Sequence, residues 1–171
     1  SGTLTRSVEN LGFARANNVA AEGTETDVLL LLNPDTECHD IDGVGAVDAV
    51  MGFARGTPDA GIWGGRTVFP DGTLNPGSCW MRITPWSMTC WAVGLTGLFR
   101  NSPTFNPEAL GGWPRDTVRS VDIVSGCFFL IKTPLWQQVR GFDLDYFMYG
   151  EEADLCLRAH ALGAAPVITP T

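Results

Sequence analysis

The feature that most constrains the fold is the run DVLLLL at residues 27–32, stopped at once by Asn33-Pro34-Asp35. A continuous apolar run of strand length has no polar face to give to water, so it reads as a central strand covered on both sides. Proline cannot donate to a strand ladder, which ends the strand there and leaves the polar groups of residues 33–35 at its carboxyl end. In open α/β sheets that end is where ligands gather. A carboxylate so placed suits a hard divalent cation that shares its oxygen ligands with substrate phosphates; composition alone favours a plain turn, and both readings stand at this point.

A second informative stretch is GFDLDYFMYGEEADLCLRAHALG, residues 141–163. Leu155, Ala159 and Leu162 recur at the spacing of one apolar helix face, which predicts a helix over 151–162 stopped by Gly163 and followed by Pro166. Glu151 and Glu152 then fall in its first turn, where unpaired amides and the helix dipole favour the ionised carboxylate, so both are expected to be charged at neutral pH. Adjacent positions point about 100° apart, so one carboxylate can face a cleft while its neighbour braces the loop. Acidic residues here also serve as ordinary helix starts. Against that, Phe142, Tyr146, Phe147 and Tyr149 bring more aromatic surface than a surface loop needs.

The remaining chain alternates helix and strand signals. A short strand is expected near Leu4 and a helix over 12–22, marked by Phe13, Ala16 and Ala20. Asn17 and Asn18 lie inside that helix, although asparagine prefers caps and turns, so either a solvated face or some other contact holds them there. A helix is predicted over 42–55 and a strand over 61–69, which Pro70-Asp71-Gly72 turns back into Thr73 and Leu74 as a hairpin. Thr84-Pro85 opens a helix over 86–99 that is apolar on nearly every side; burial is the favoured expectation, and an exposed face for a membrane or partner is the alternative. Residues 101–115 read as a long loop carrying Trp113 and Arg115. Strands are expected over 118–124 and 127–132, around Ser125-Gly126, and a short helix from Thr133-Pro134 to Arg140-Gly141.

With 171 residues, 44% of them hydrophobic, the chain can bury one core, and a single α/β domain is expected. The net charge of -8, with scattered basic residues, argues against nucleic acid as partner, and an anionic ligand would need a metal or helix ends. Five cysteines, an odd number without CxxC spacing, read as reduced, buried thiols of a cytoplasmic protein. The spacing of Cys38, His39, Asp40 and Asp42 matches no metal motif. No signal peptide and no membrane span are read from the sequence.

ENLGFARANN, LNPD, VSGCFFLIK and GFDLDYFMYGEEADLCLRA, in that order, resemble the family 2 glycosyltransferases of the GT-A fold, and most of all the bacterial rhamnosyltransferase-like branch. The resemblance covers about Asn10 to Pro170, loosely between Gly61 and Arg115. It implies a three-layer α/β/α mixed sheet, a single domain over 1–171, lacking the N-terminal nucleotide-binding βαβ unit and a further metal-ligand histidine past Thr171. LNPD stands where the family has its DxD-like motif, so Asp35, with Asn33, would bind Mg or Mn bridging the donor diphosphate. In GEEADL, Glu152 stands where relatives carry an aspartate general base, with Glu151 beside it. Gly126, Asn17 and Asp122 would contact the donor, and Trp113 and Arg115 the acceptor. The implied reaction is inverting transfer from a nucleotide-diphospho-sugar to a saccharide or lipid-linked acceptor. It would take place in the cytoplasm at the inner face of the membrane, with peripheral membrane association and self-association through an exposed sheet edge. A non-catalytic sugar-binding relative of the same fold is the alternative. A nucleotidyltransferase would want a Gly-rich, Lys-containing phosphate loop near its start, which this sequence does not show.

Overall fold

A computed structural model describes residues 4–40, 43–147 and 149–170, so Asp42, the expected start of the second helix, lies outside the described residues. In chain order the elements are α1 Gly12–Ala21, β1 Val28–Leu32, α2 Ala46–Gly56, β2 Ile62–Gly65, β3 Cys79–Trp80, α3 Pro85–Ala92, α4 Leu95–Leu98, β4 Arg119–Ser120, β5 Ile123–Val124, β6 Phe128–Lys132, α5 Thr133–Val139, α6 Glu151–Ala161 and β7 Val167–Thr169. The main sheet has the order β1-β6-β2-β7-β4. β6 runs antiparallel to both its neighbours, β7 is parallel to β2, and β4 is antiparallel to β7. β1, β2 and β7 therefore point the same way.

The alternation of side chains along these strands divides the core into two layers. Leu30, Phe128, Leu130, Trp63 and Val167 face α2 and pack with its Val50 and Ala54. Leu31, Phe129, Ile131, Ile62 and Ile168 face the other way, onto Ala14 of α1, Trp136 of α5 and Leu155 and Ala159 of α6. The result is the three-layer α/β/α arrangement with a mixed sheet. Each fully buried side chain such as Phe129 or Ile131 contributes about 1.5–3 kcal/mol by leaving water, so the two layers account for most of the cohesion. Gly64 is where the sheet touches the second, two-stranded sheet of β3 and β5: a Cβ there would lie 2.6 Å from Val124 and 2.7 Å from Ile168, so no side chain fits.

Several expectations are corrected. Among the described residues the DVLLLL strand lies at the edge of the sheet, paired with β6, and is half-buried along most of its length. Residues 118–124 do not form one strand: Val121 and Asp122 break it, and β4 and β5 join different sheets. The helix over 86–99 splits in two because Gly94 adopts φ +78, a left-handed conformation that ends α3. Nor is it buried: only Ser87 and Cys90 of α3 face inward. Leu4 lies in no strand. The 70–72 turn does form, with Asp71 accepting from the Thr73 amide at 2.9 Å, but it closes on a single bridge between Val68 and Leu74. All five cysteines are free, three of them buried, while Cys38 is exposed and Cys127 half-buried.

Candidate active site

The turn after β1 is tied to the strand beside it. The Asn33 amide donates to the Cys127 carbonyl at 3.2 Å, and Thr36 Oγ1 donates to the same oxygen at 3.2 Å. Asn33 is half-buried and Asp35 is exposed, so the carboxylate projects into solvent from the carboxyl end of the strand. Gly126 precedes Cys127, and its α-carbon lies against Phe13 of α1, whose ring would sit 2.9 Å from any Cβ added there.

On the other side of Gly126 stands the first turn of α6. Burial pushes the Glu152 carboxyl up from its ordinary value, and the neighbouring charge of Glu151 adds to the rise. Backbone amides of Glu152, Gly150 and Gly126 counteract only part of it. The same Gly126 that rests on Phe13 thus also contributes, weakly, to the electrostatics of Glu152. Glu151 is 4% exposed, and Oε2 of each glutamate is buried with no hydrogen-bond partner. Two desolvated carboxylate oxygens at one helix start are costly. The backbone leading to them is unusual as well. Tyr149 has φ +67 and Gly150 φ +95, and a non-glycine left-handed residue costs on the order of 1 kcal/mol.

Three contacts hold the aromatic approach to this turn. Asn18 Nδ2 donates to the Phe142 carbonyl at 2.8 Å while its Oδ1 accepts from the Phe142 amide at 2.9 Å. Phe142 is buried against Phe13, Phe129 and Trp136, with ring centroids 5.5, 6.5 and 5.1 Å apart. Arg158 pairs with Asp154 at 2.6 Å within α6 and donates to the carbonyls of Val139 and Gly141. Gly12 completes the seat, since a Cβ there would lie 2.6 Å from the Phe147 carbonyl. Tyr146, Phe147 and Tyr149 remain exposed beside it.

The other predicted site residues lie elsewhere. Asn17 donates to the Phe13 carbonyl one helical turn back, at 2.9 Å, so its amide is engaged inside α1; its neighbour Asn18 makes the long-range contact. Asp122 is buried against Arg82, which donates to it from Nε and Nη2, both at 3.1 Å, and from its amide at 2.9 Å; His160 Nε2 lies 3.5 Å away. Burial alone would raise the Asp122 carboxyl, but the bonds from Arg82 and the nearby His160 outweigh it and hold it below its ordinary value. Trp113 and Arg115 are both buried. Arg115, 3% exposed, donates to the carbonyls of Trp113, Pro76, Cys79 and Ala109 and lies over the Trp113 ring, so both side chains knit the 101–115 loop together. Cys156, one turn along α6 from Glu152, is pushed up to about 12 by burial and stays a neutral thiol.

Among the described residues no three His, Cys, Asp or Glu side chains gather as a cation cage. Asp35, an exposed carboxylate, and Asn33, a half-buried amide two residues before it, are oxygen donors of the kind taken by a hard cation that keeps most of its ligands from substrate phosphates. A cleft of about 610 Å³ lies at the opposite, amino end of β1, lined by Asp27, Trp63, Lys132 and Thr133, away from both acidic motifs.

No protein-family model matches the chain. Among curated proteins it is 30% identical over 172 residues to the N-acetylglucosaminyl-diphospho-decaprenol L-rhamnosyltransferase of Mycobacterium tuberculosis, a match that takes in 98% of this chain and 52% of the relative. It is 26% identical over 164 residues to the O-antigen biosynthesis protein RfbC of Myxococcus xanthus, covering 92% of this chain and 11% of that protein. With the rhamnosyltransferase WbbL of Escherichia coli K12 it shares 42% identity over 53 residues, 29% of this chain and 20% of the relative. The chain spans about half the length of the mycobacterial relative. With a mixed three-layer sheet of GT-A type, the chain is similar along nearly its whole length to about half of a bacterial rhamnosyltransferase, as a rhamnosyltransferase-like glycosyltransferase fragment would be.

Proposed function

We propose that this chain forms the cation-binding and acceptor-activating part of an inverting family 2 glycosyltransferase that moves a sugar, rhamnose by its relatives' names, from a nucleotide-diphospho-sugar to a lipid-linked saccharide of the cell surface. The observation that carries this is the bridge at residues 125–127: Cys127 anchors the turn of Asn33 and Asp35, and the Gly126 amide is among the backbone groups that offset the desolvation of the Glu152 carboxyl.

In this reading Glu152 takes the proton from the acceptor hydroxyl as that oxygen attacks the anomeric carbon. Desolvation suits it to the task, because a carboxylate raised towards neutrality is a stronger base than one in water. Glu151, buried beside it, keeps the local potential negative and supports that rise. The left-handed Tyr149-Gly150 pair and the Asn18 and Arg158 clamps fix where the helix, and with it the carboxylate, begins. Asp35 and Asn33 would hold Mg or Mn, which when bound offsets the charge developing on the departing nucleoside diphosphate. A lipid-linked acceptor sets the work at the cytoplasmic face of a membrane, with peripheral association, and a sheet edge such as that of β1 among the described residues is where a second copy could pair.

The test is transfer of sugar to a lipid-linked acceptor by the longest natural form of the protein, comparing Glu152→Gln and Asp35→Asn with the parent. Each is expected to lose on the order of 10²-fold or more in kcat, the scale of lost acid–base or charge stabilisation. Unchanged transfer by Glu152→Gln would remove Glu152 from the chemistry and favour a non-catalytic, sugar-binding relative.

A further inference from the structure

The carboxyl edge of the main sheet carries a cationic side chain that the site described so far does not use. Trp63 of β2 and Leu30 of β1 both pair with Leu130 of β6, so the two strands run level, and three residues on Arg66 and Asn33 reach the same height. Both ladders continue that far: the Asn33 amide donates to the Cys127 carbonyl, and the Arg66 amide donates to the Thr169 carbonyl at 3.1 Å. Side chains alternate along a strand, so Arg66, two residues past Gly64 and four past Ile62, is on the face that holds α6, as is Asn33, two residues past Leu31. Asn33, Cys127 and Arg66 therefore form one row on that face. With neighbouring strands about 4.8 Å apart, the backbones of Asn33 and Arg66 are about 10 Å from each other.

The guanidinium is placed by the fold and left with donors to spare. Its Nε donates to the Pro114 carbonyl at 3.2 Å, in the loop that Arg115 ties together from within. Among the described residues Arg66 makes no ion pair, its two terminal nitrogens have no hydrogen-bond partner, and the side chain is exposed. Other basic residues are committed or distant. Arg82 is paired with Asp122 and Arg158 with Asp154, Arg119 on β4 lies over the Trp113 ring at 5.1 Å, and Arg55 and Lys132 line the cleft at the amino end of β1. On a chain of net charge -8, whose acids Asp35, Glu151 and Glu152 gather at this edge, an anion needs a fixed positive partner there. A cation shared with Asp35 neutralises one side of a diphosphate, and a guanidinium fork facing it fits a second pair of phosphate oxygens.

We infer that Arg66 is a donor-binding residue whose guanidinium holds the diphosphate of the nucleotide-sugar from the middle of the sheet, opposite the Asn33–Asp35 turn. The inference rests on the donor reading above and supplies a contact that Asn17, engaged inside α1, does not make. It also gives the 101–115 loop a part in the site: with Trp113 and Arg115 buried, the loop acts through the Pro114 carbonyl, which aims Arg66.

The test is calorimetric titration of uridine, thymidine and guanosine diphosphates, each with Mn, into the longest natural form of the protein. The one that the parent binds most tightly is then titrated into Arg66→Gln, Arg66→Lys, Arg55→Gln and Asp35→Asn. Arg66→Gln is expected to raise Kd roughly tenfold or more and to flatten its dependence on ionic strength, and Arg66→Lys, which keeps the charge without the fork, to recover part of the loss. Arg55→Gln removes the same charge at the other end of β1 and is expected to bind as the parent does. Thermal melts check that Arg66→Gln keeps its fold; an arginine with a merely structural role would lower the melting temperature and leave the salt dependence of binding unchanged. With Asp35→Asn impaired, equal binding by Arg66→Gln and the parent, or an equal loss in Arg55→Gln, overturns this inference and leaves the donor reading standing. Absence of binding of all three nucleotides to the parent overturns both.

Discussion

Replacing Asn18 by alanine should separate the site's support from its helix. Asn18 donates to one backbone group of Phe142 and accepts from the other, at 2.8 and 2.9 Å, and Phe142 is itself buried. Truncation leaves an amide and a carbonyl without partners, at about 1–3 kcal/mol each when water cannot reach them. A cleft of about 440 Å³ lined by Asn18, Trp136 and Gly141 admits some water there, which lowers the expected total to about 2–3 kcal/mol. Asn17→Ala is the internal control, because its amide bonds only within α1, and alanine improves the helix by a few tenths of a kcal/mol. Urea unfolding followed by circular dichroism reads the difference: with a slope of about 1–3 kcal/mol per molar, Asn18→Ala should lower the midpoint by about 1 M or more and Asn17→Ala should barely move it. Equal midpoints for the two variants would refute the reasoning that the Asn18 amide, rather than helical context, holds the turn before Glu151.

Glu152→Gln should stabilise the fold at neutral pH. The folded carboxyl titrates above its ordinary value, so stability falls as pH rises from the unfolded value towards the folded one, and the glutamine escapes that loss; in thermal melts the advantage should be present at pH 7 and vanish below about pH 4. Asp122→Asn should act the other way. The folded carboxyl titrates below 3.8, so its contribution is present above the unfolded pKa and lost as pH falls through the folded value; with Arg82 half in solvent the cost is about 1 kcal/mol at neutral pH and none at strongly acid pH. Arg115→Met should cost about 3 kcal/mol or more in chemical denaturation, since four carbonyls lose their donor, while an acceptor contact alone would leave stability unchanged. Gly126→Ala should displace the Phe13 ring and cost about 1–3 kcal/mol, seen as a lower melting temperature.

The parts of this fold legible in the sequence are those set by local pattern. Proline and glycine mark the ends of β1 and α6, the spacing of Leu155 and Ala159 gives α6 its inner face, and Thr84-Pro85 places the start of α3. What failed was set by long-range packing. DVLLLL carries the composition of a central strand, but which edge a strand occupies depends on partners that periodicity does not name. The helix over 86–99 looked suited to burial because apolar residues surround it, whereas in α3 the buried positions are the small Ser87 and Cys90. In the site, the two acidic motifs could be found as types, but Asn18 and Arg158 could not be assigned their partners. An asparagine inside a helix and an Asp154–Arg158 pair at i, i+4 were the available signals, and neither says that both residues grip the turn at residues 139–142. Arg115 misled for a related reason: a cation in a long loop suggests a ligand, and here backbone carbonyls of its own loop and of Pro76 and Cys79 are what it binds.

The most direct measurement is paramagnetic broadening of the amide spectrum by Mn in the presence of a nucleoside diphosphate. Broadening should centre on residues 33–36 and extend across Gly126 and Cys127 to Glu151 and Glu152, and Asp35→Ala should abolish it. Broadening confined to the cleft at Asp27 and Lys132, or reaching residues 33–36 while leaving 126 and 150–152 sharp, would contradict a single centre shared by Asp35 and Glu152.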